Sequence, residues 1–393
     1  MYFIQGVGDP TSGLIAQPVR SLLKSWGDSP TTIAAFMGLL ALPWSLKVLF
    51  GLLSDLVPLF GSRRRNYLLI SSISASLGLL FLYLFPVPAG SHWVLFMWLL
   101  LPTIGIAFGD VLVDALMVEV GQPLGLTGRL QSVQWTAVNI ALLLTGVVGG
   151  YLSSVQRQDF ALLLCALLWA MSFALAYRYA SDSRAAQPIN RGATLAALRK
   201  ALASPGLVAV CGVLFLWSFN PLWVTVLYLY LTTALQFDEQ TYGNTYSVFC
   251  AGSVVASSLY GVYCRRFKLG HLLHVSIVAG IVANIVYWHV TTLTGAYVVS
   301  FVAGAAFMTG MLIQFDVAAR LVPVEVAATL FALIMALTNL ASSVSEGFGG
   351  WLYERLGAGA DAFDGVALLS GLFAAAAWLL VPRLKREVPQ WWA

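Results

Sequence analysis

Twelve apolar stretches, divided six and six by one polar segment, constrain this chain more than anything else in it. A membrane-spanning helix needs about 20 residues with few charges. Such stretches run at roughly 1–23, 32–54, 67–86, 93–116, 130–152 and 160–179, then at roughly 205–232, 242–263, 271–290, 293–317, 326–352 and 362–382. The first is the poorest, interrupted by Gln5, Gly8, Asp9, Pro10 and Arg20. Charged residues make up only 10% of the chain, and the mean hydropathy is +0.83. A soluble globular chain carries about 25% charged residues, so this one would have little with which to cover a surface in water. The expected fold is therefore an all-α integral membrane protein of twelve transmembrane helices in two six-helix repeats. The first bundle is expected over 1–180, a central loop over 181–203, the second bundle over 204–382 and a tail over 383–393.

Basic residues fall in alternate loops. Arg63 to Arg65, Arg129, the central segment, Arg265 to Lys268 and Arg383 to Arg386 share one side. Arg20, Lys24, Arg157 and Arg355 fall on the other, with Lys47 left inside a span. Loops rich in Lys and Arg stay in the cytoplasm, so both termini are expected there. The halves repeat one another: Val147-Val-Gly-Gly-Tyr-Leu152 ends the fifth span, and Gly347-Phe-Gly-Gly-Trp-Leu352 ends the eleventh. Cys165, Cys211, Cys250 and Cys264 lie in or beside apolar spans without CxxC spacing, and there are four histidines with no paired metal ligands. No metal, cofactor or disulfide framework is expected, and with no nucleophile or ATP-binding motif, no enzyme. The net charge of +4 lies in loops and calls for no nucleic-acid partner.

Gly51-Leu-Leu-Ser-Asp55, a turn through Pro58 and Gly61, and Arg63-Arg64-Arg65 form a hinge at a membrane surface, in which Asp55 can pair with the arginines or with a neighbouring helix end. This order resembles the loop between the second and third helices of the major facilitator superfamily. Several segments are closer still to the folate-biopterin transporter family. They are Tyr2-Phe3-Ile4-Gln5-Gly6, Leu42-Pro43-Trp44-Ser45-Leu46-Lys47, the hinge itself, Asp110-Val-Leu-Val-Asp114, Leu130-Gln131-Ser132, and Ala328 to Ala332 with Asn339. The resemblance implies a twelve-helix carrier of folates or pterins driven by protons. Asp9 followed by Pro10 departs from that pattern.

Ionisable side chains at membrane depth cost about 2.5–3.5 kcal/mol each and face a partner or an aqueous cavity. Lys47 is the candidate anchor for a substrate anion, or else the structural partner of a buried acid such as Asp114. Asp110 and Asp114 stand one turn apart on one face and are the candidate proton carriers, with Glu346 as a further one near the outer surface. Arg129 is an alternative partner for these acids, and Asp316 with Arg320 reads as an ion pair within a gate, beside Asp55 and Arg63 to Arg65. A flat heterocycle needs stacking rings and amide groups along its edge. Gln5, Gln134, Trp135, Asn139, Asn220, Trp223 and Asn339 offer these, and Asn220-Pro221 should break the seventh helix.

The leading expectation is a monomeric secondary carrier of folate, pterin or a similar anionic heterocycle, coupled to protons. It is expected in a bacterial inner membrane, since no hydrophilic leader precedes Tyr2. The alternatives are an exporter of another amphipathic metabolite, whose cavity would need no cation, and a non-transporting assembly factor, which would not need the hinge.

Overall fold

Helices dominate because the apolar runs are long and their backbone polar groups have no other partners inside a bilayer. The computed structural model describes residues 1–57, 59–62, 64–121, 127–180, 203–263, 267–288, 290–321 and 327–392, and the side chains of all of these but 55–56, 117–121, 127–132, 261–263, 319–321 and 327–331. The helices of the described residues fall into twelve legs. Leg 1 is α1 (Tyr2–Gly8) and α2 (Ala16–Ser25), and leg 2 is α3 (Pro30–Leu40), a 3₁₀ turn (Leu42–Leu46) and α4 (Lys47–Leu56). Legs 3 to 6 are α5 (Arg65–Leu84), α6 (His92–Gly121), α7 (Thr127–Ser154) and α8 (Gln158–Tyr179). Leg 7 is α9 (Pro205–Ser218) and α10 (Thr225–Leu229), running on as a π turn to Ala234. Legs 8 to 11 are α11 (Glu239–Tyr263), α12 (Leu269–Ile285), α13 (Leu293–Leu321) and α14 (Ala327–Arg355). Leg 12 is α15 (Ala360–Ala376) and α16 (Val381–Glu387).

The breaks in legs 1 and 7 have local causes. Pro10 has no N–H to give the Gly6 carbonyl, and the residue before a proline is pushed to extended backbone. Asp9 accordingly sits at φ −70, ψ 120. Its carboxylate accepts from the Thr11 amide at 2.9 Å, the Thr11 hydroxyl at 2.8 Å and the Ser12 hydroxyl at 2.6 Å. In leg 7 the expected break appears at Asn220-Pro221, where Asn220 Oδ1 and Ser370 Oγ both accept from the Leu222 amide, at 3.2 and 2.9 Å.

The halves meet in a repeated way. The end of α7 packs Gly149 on Leu14 in the link of leg 1 and Gly150 on Gly243 of α11. The end of α14 packs Gly349 on Pro221 in the link of leg 7 and Gly350 on Ala34 and Pro30 of α3. Backbones approach this closely only where side chains are absent. These contacts lie toward one end of the molecule, which carries the turns after Ser25, Ser154, Ala234 and Arg355 and is here termed the closed end. The opposite, basic end carries the hinge. There the turn at Phe60 (φ 50) and Gly61 (φ 78) follows the mutual Leu59–Ser62 hydrogen bonds. Arg64, buried, returns to Ser54 Oγ at 2.6 Å, and Arg65 donates to the Tyr177 carbonyl at 3.1 Å. Arg63, the central segment 181–202 and the side chains of Asp55, Arg129 and Arg320 lie outside the described residues.

Candidate transport site

Between the halves lie two adjoining chambers, with cavity volumes of ≈ 430 and ≈ 360 Å³, that share Asp9, Trp44, Lys47, Trp135 and Asn339 in their walls. Small-molecule sites commonly occupy about 300–1,000 Å³. The 3₁₀ turn of leg 2 brings Trp44 and Lys47 to this wall, and the Lys47 ammonium sits 4.7 Å from the Trp44 ring centroid. Lys47 Nζ lies 2.5 Å from Asp110 Oδ2. Of the acids on α6, the lysine's hydrogen-bonded partner is therefore Asp110, one turn earlier than Asp114. Gln5 faces the same acid: with its amide oxygen toward the Asp110 N–H, its nitrogen donates to Asp110 Oδ1 at 3.2 Å. Asp114 accepts from the Tyr2 hydroxyl at 2.8 Å and from Gln134 Nε2 at 3.0 Å.

One cation thus faces three carboxyls, those of Asp9, Asp110 and Asp114, in the wall of the smaller chamber. With all ionised, that chamber carries two net negative charges before any substrate enters. Further round, Trp135 tilts against Phe315 at 5.8 Å, and Asn339 Nδ2 donates to the Trp44 carbonyl at 2.9 Å, tying α14 to leg 2. Asn220 and Trp223 line the larger chamber, where Trp223 stacks on Phe307 at 5.0 Å. Asn139 is buried and donates to the Trp135 carbonyl at 2.8 Å, turning its amide onto its own helix. Asp316 stands apart from the cavity and accepts from the Tyr260 hydroxyl at 3.3 Å.

Glu346 is half-buried in the wall of the larger chamber, where the Thr225 hydroxyl donates to it and Arg20 Nη2 lies 3.6 Å away. Arg20 itself is only 2% exposed, donating to Thr225 Oγ1 at 3.2 Å and to the Thr11 carbonyl at 3.3 Å. Sequence reasoning placed Arg20 among outer basic residues and missed this role. The signal was the spacing of Gln17, Arg20 and Lys24, which puts all three on one face of α2. All three reach the second half: Gln17 donates to Glu239 Oε2 at 3.0 Å, and Lys24 to the Thr232 carbonyl at 3.2 Å. Tyr228 completes the group, its hydroxyl donating to Glu239 at 2.8 Å.

The model of the BT1 family matches residues 5–385. A folate-biopterin transporter of Synechocystis sp. is 30% identical over 388 residues, covering 94% of this chain and 76% of the relative. A probable folate-biopterin transporter 4 of Arabidopsis thaliana is 25% identical, covering 93% and 89%. In backbone, the chain superposes on the nucleoside transporter NupG with a TM-score of 0.70 at 14% identity, covering 98% of this chain and 96% of NupG. A bacterial homologue of the human lysosomal transporter Spinster, in an inward-facing unoccupied conformation, gives 0.72 at 15% identity, covering 99% and 96%. A D-xylose–proton symporter gives 0.68 at 16% identity and 95% of each chain. At such identities the likeness speaks for the fold, and it bears out the expected all-α transporter architecture. With a family match across nearly its whole length, this chain belongs to the BT1 family and is a multi-pass membrane transporter rather than an enzyme.

Proposed function

We propose that the protein is a proton-coupled secondary carrier of folate, pterin or a similar anionic heterocycle, working by alternating access between the halves 1–180 and 204–382. The observation that carries this reading is Lys47 held by Asp110 in a chamber with Asp9 and Asp114. An anion approaching Lys47 competes with Asp110 for the ammonium, and it adds charge to a site already rich in carboxyls. Protonation of Asp110 or Asp114 relieves both obstacles, so substrate and proton favour one another's binding. Trp44 and Trp135 beside the cation provide the stacking surface for a flat ring. Glu346, paired with Arg20 across the halves, offers a second place where a proton alters the closed end.

Under this reading the basic end faces the cytoplasm, as the arginines favour, both termini lie there, and the structure is the state shut to the outside of a bacterial inner membrane. A monomer suffices, because both walls of the cavity come from one chain. The test is uptake of labelled folate and biopterin into proteoliposomes, with and without an inward acid gradient, for the parent and Lys47→Ala. Gradient-driven uptake that the substitution abolishes supports the proposal. Folded, inserted parent protein that moves neither compound overturns it, leaving export of another amphipathic metabolite as the next reading.

A further inference from the structure

Two buried amide oxygens in the second half meet no donor among the described residues. Asn284 on α12 and Gln314 on α13 are 4% and 2% exposed, both line the larger chamber, and Asn284 Oδ1 and Gln314 Oε1 are unpartnered. Their orientation is fixed by what their nitrogens touch. The Ser276 hydroxyl gives its proton to the Leu273 carbonyl at 2.9 Å, so toward Gln314 it accepts, and Gln314 Nε2 is the atom facing it at 2.9 Å. Asn284 Nδ2 donates to the Gly280 carbonyl at 2.8 Å, which is an acceptor only. Each side chain therefore presents its oxygen, an acceptor, to whatever comes next to it. Native folds pair nearly all such buried groups, and an unpaired one calls for an explanation.

The surroundings suit a flat ligand. Trp217 lies between the two amides, its indole N–H donating to the Ser276 carbonyl at 2.9 Å. Its ring packs over Gly280 and Gly310 and stacks on Phe307 at 5.5 Å, and Phe307 stacks in turn on Trp223. Gln314 is tied at Ser276, eight residues and so about 12 Å of helix rise from Asn284 on the same helix. The acceptors thus flank a run of aromatic rings, on the wall opposite the half that carries Lys47.

We propose that Asn284 and Gln314 are the donor-reading wall of the substrate site. Their oxygens accept hydrogen bonds from the N–H and NH₂ groups on the edge of a planar heterocycle lying along the Trp217–Phe307–Trp223 stack, while Lys47 holds the ligand's negative charge. This rests on the anionic-heterocycle reading and sharpens it: the ring must carry exocyclic or ring donors, such as the 2-amino group of a pterin. An analogue with a carbonyl oxygen at that position would set acceptor against acceptor.

The test compares the Kd of biopterin with that of its 2-oxo counterpart on purified full-length protein. The parent should prefer the 2-amino compound by about tenfold or more, the effect of one hydrogen bond and the repulsion replacing it. Asn284→Leu and Gln314→Met together should bring the two compounds to within about twofold, by loosening the 2-amino compound and by tightening the 2-oxo compound, which no longer meets an opposed acceptor. A 2-oxo compound bound at least as tightly as by the parent then shows the variant folded, and the single variants show which oxygen reads the amino group. Equal binding of the two compounds by the parent overturns the inference whether or not any variant folds. A preference that survives the double variant overturns it as well. Parent protein that binds neither compound overturns the underlying reading too, which keeps the two failures distinct.

Discussion

At the scale of single residues, the Lys47–Asp110 pair separates charge from coupling. Both side chains are mostly buried, 17% and 13% exposed, at 2.5 Å. Removing one partner of a buried pair leaves the other charge stranded, at a cost of about 3–5 kcal/mol, whereas replacing both by apolar residues of similar size is often near neutral. Lys47→Ala should therefore lower the melting temperature of the solubilised protein clearly, and Lys47→Met with Asp110→Leu should largely restore it. Equal destabilisation by the single and double variants would contradict a directly paired site. Binding should respond differently. Asp110→Asn frees Lys47 from its competitor, so anion affinity is expected to hold or rise while its dependence on pH shrinks. An unchanged pH profile in Asp110→Asn would take that residue out of the coupling. Gln5, in contact with Asp110, and Gln134 and Tyr2, in contact with Asp114, orient the two acids.

Helices and their breaks explain what the sequence allowed and what it hid. The spans were legible because apolar runs of this length have one stable form in a bilayer, and the break in leg 7 because Pro221 follows Asn220 there. The partner of Lys47 was not, since the 3₁₀ turn at Leu42–Leu46, with three residues per turn, changes the phase at which leg 2 meets α6. The closed-end role of Arg20 was hidden too: an arginine near a span's end reads as interfacial unless the opposite wall, here Thr225 and Glu346, is known. The link in leg 1 was visible only as an interruption, although Asp9, Thr11 and Ser12 all line the larger chamber. At this scale Gly243 on α11 is an exacting position, since a Cβ there would run into the Gly146 carbonyl and the Gly150 backbone of α7. Gly243→Leu should hold the halves apart at the closed end. A disulfide between Val147→Cys and Gln240→Cys, whose parent residues touch through a 3.2 Å hydrogen bond, should form readily in the parent background and poorly with Gly243→Leu. Equal cross-linking would mean that α7 and α11 adjust without separating.

Across the whole molecule, alternating access requires the closed end to open, and the bonds that must break are named by the structure. One is weakly held: Glu354, exposed at the end of α14, accepts from the Thr31 amide at 2.9 Å. Hydrogen bonding from the Thr31 hydroxyl and then from its amide holds the Glu354 carboxyl below the usual glutamate range. A depressed pKa means the contact favours closure above the usual range and loses its effect only as pH falls through the lowered value. Glu354→Gln should therefore leave the neutral-to-alkaline pH profile of uptake unchanged, and a shift of that profile near neutrality would refute the assignment. The Arg20–Glu346–Thr225 group is the stronger tie, largely buried and spanning both halves. Arg20→Ala leaves Glu346, largely shielded from water, without its cation, a loss of up to about 3–5 kcal/mol to the closed state. Carrying a two-state equilibrium from 1:99 to 99:1 takes about 5.5 kcal/mol, so this one substitution should move a closed population most of the way to open. Glu346→Gln removes the charge but keeps an acceptor for Thr225, and should move it less. Spin labels at Gln156 and Gln236, in turns of the closed end on opposite halves, read the outcome as a distance distribution. The parent should show mainly the short distance, Glu346→Gln a mixture and Arg20→Ala mainly the long one. Identical distributions in all three would show that closure is held by the glycine-lined helix contacts, with the ion pair contributing only to the fold.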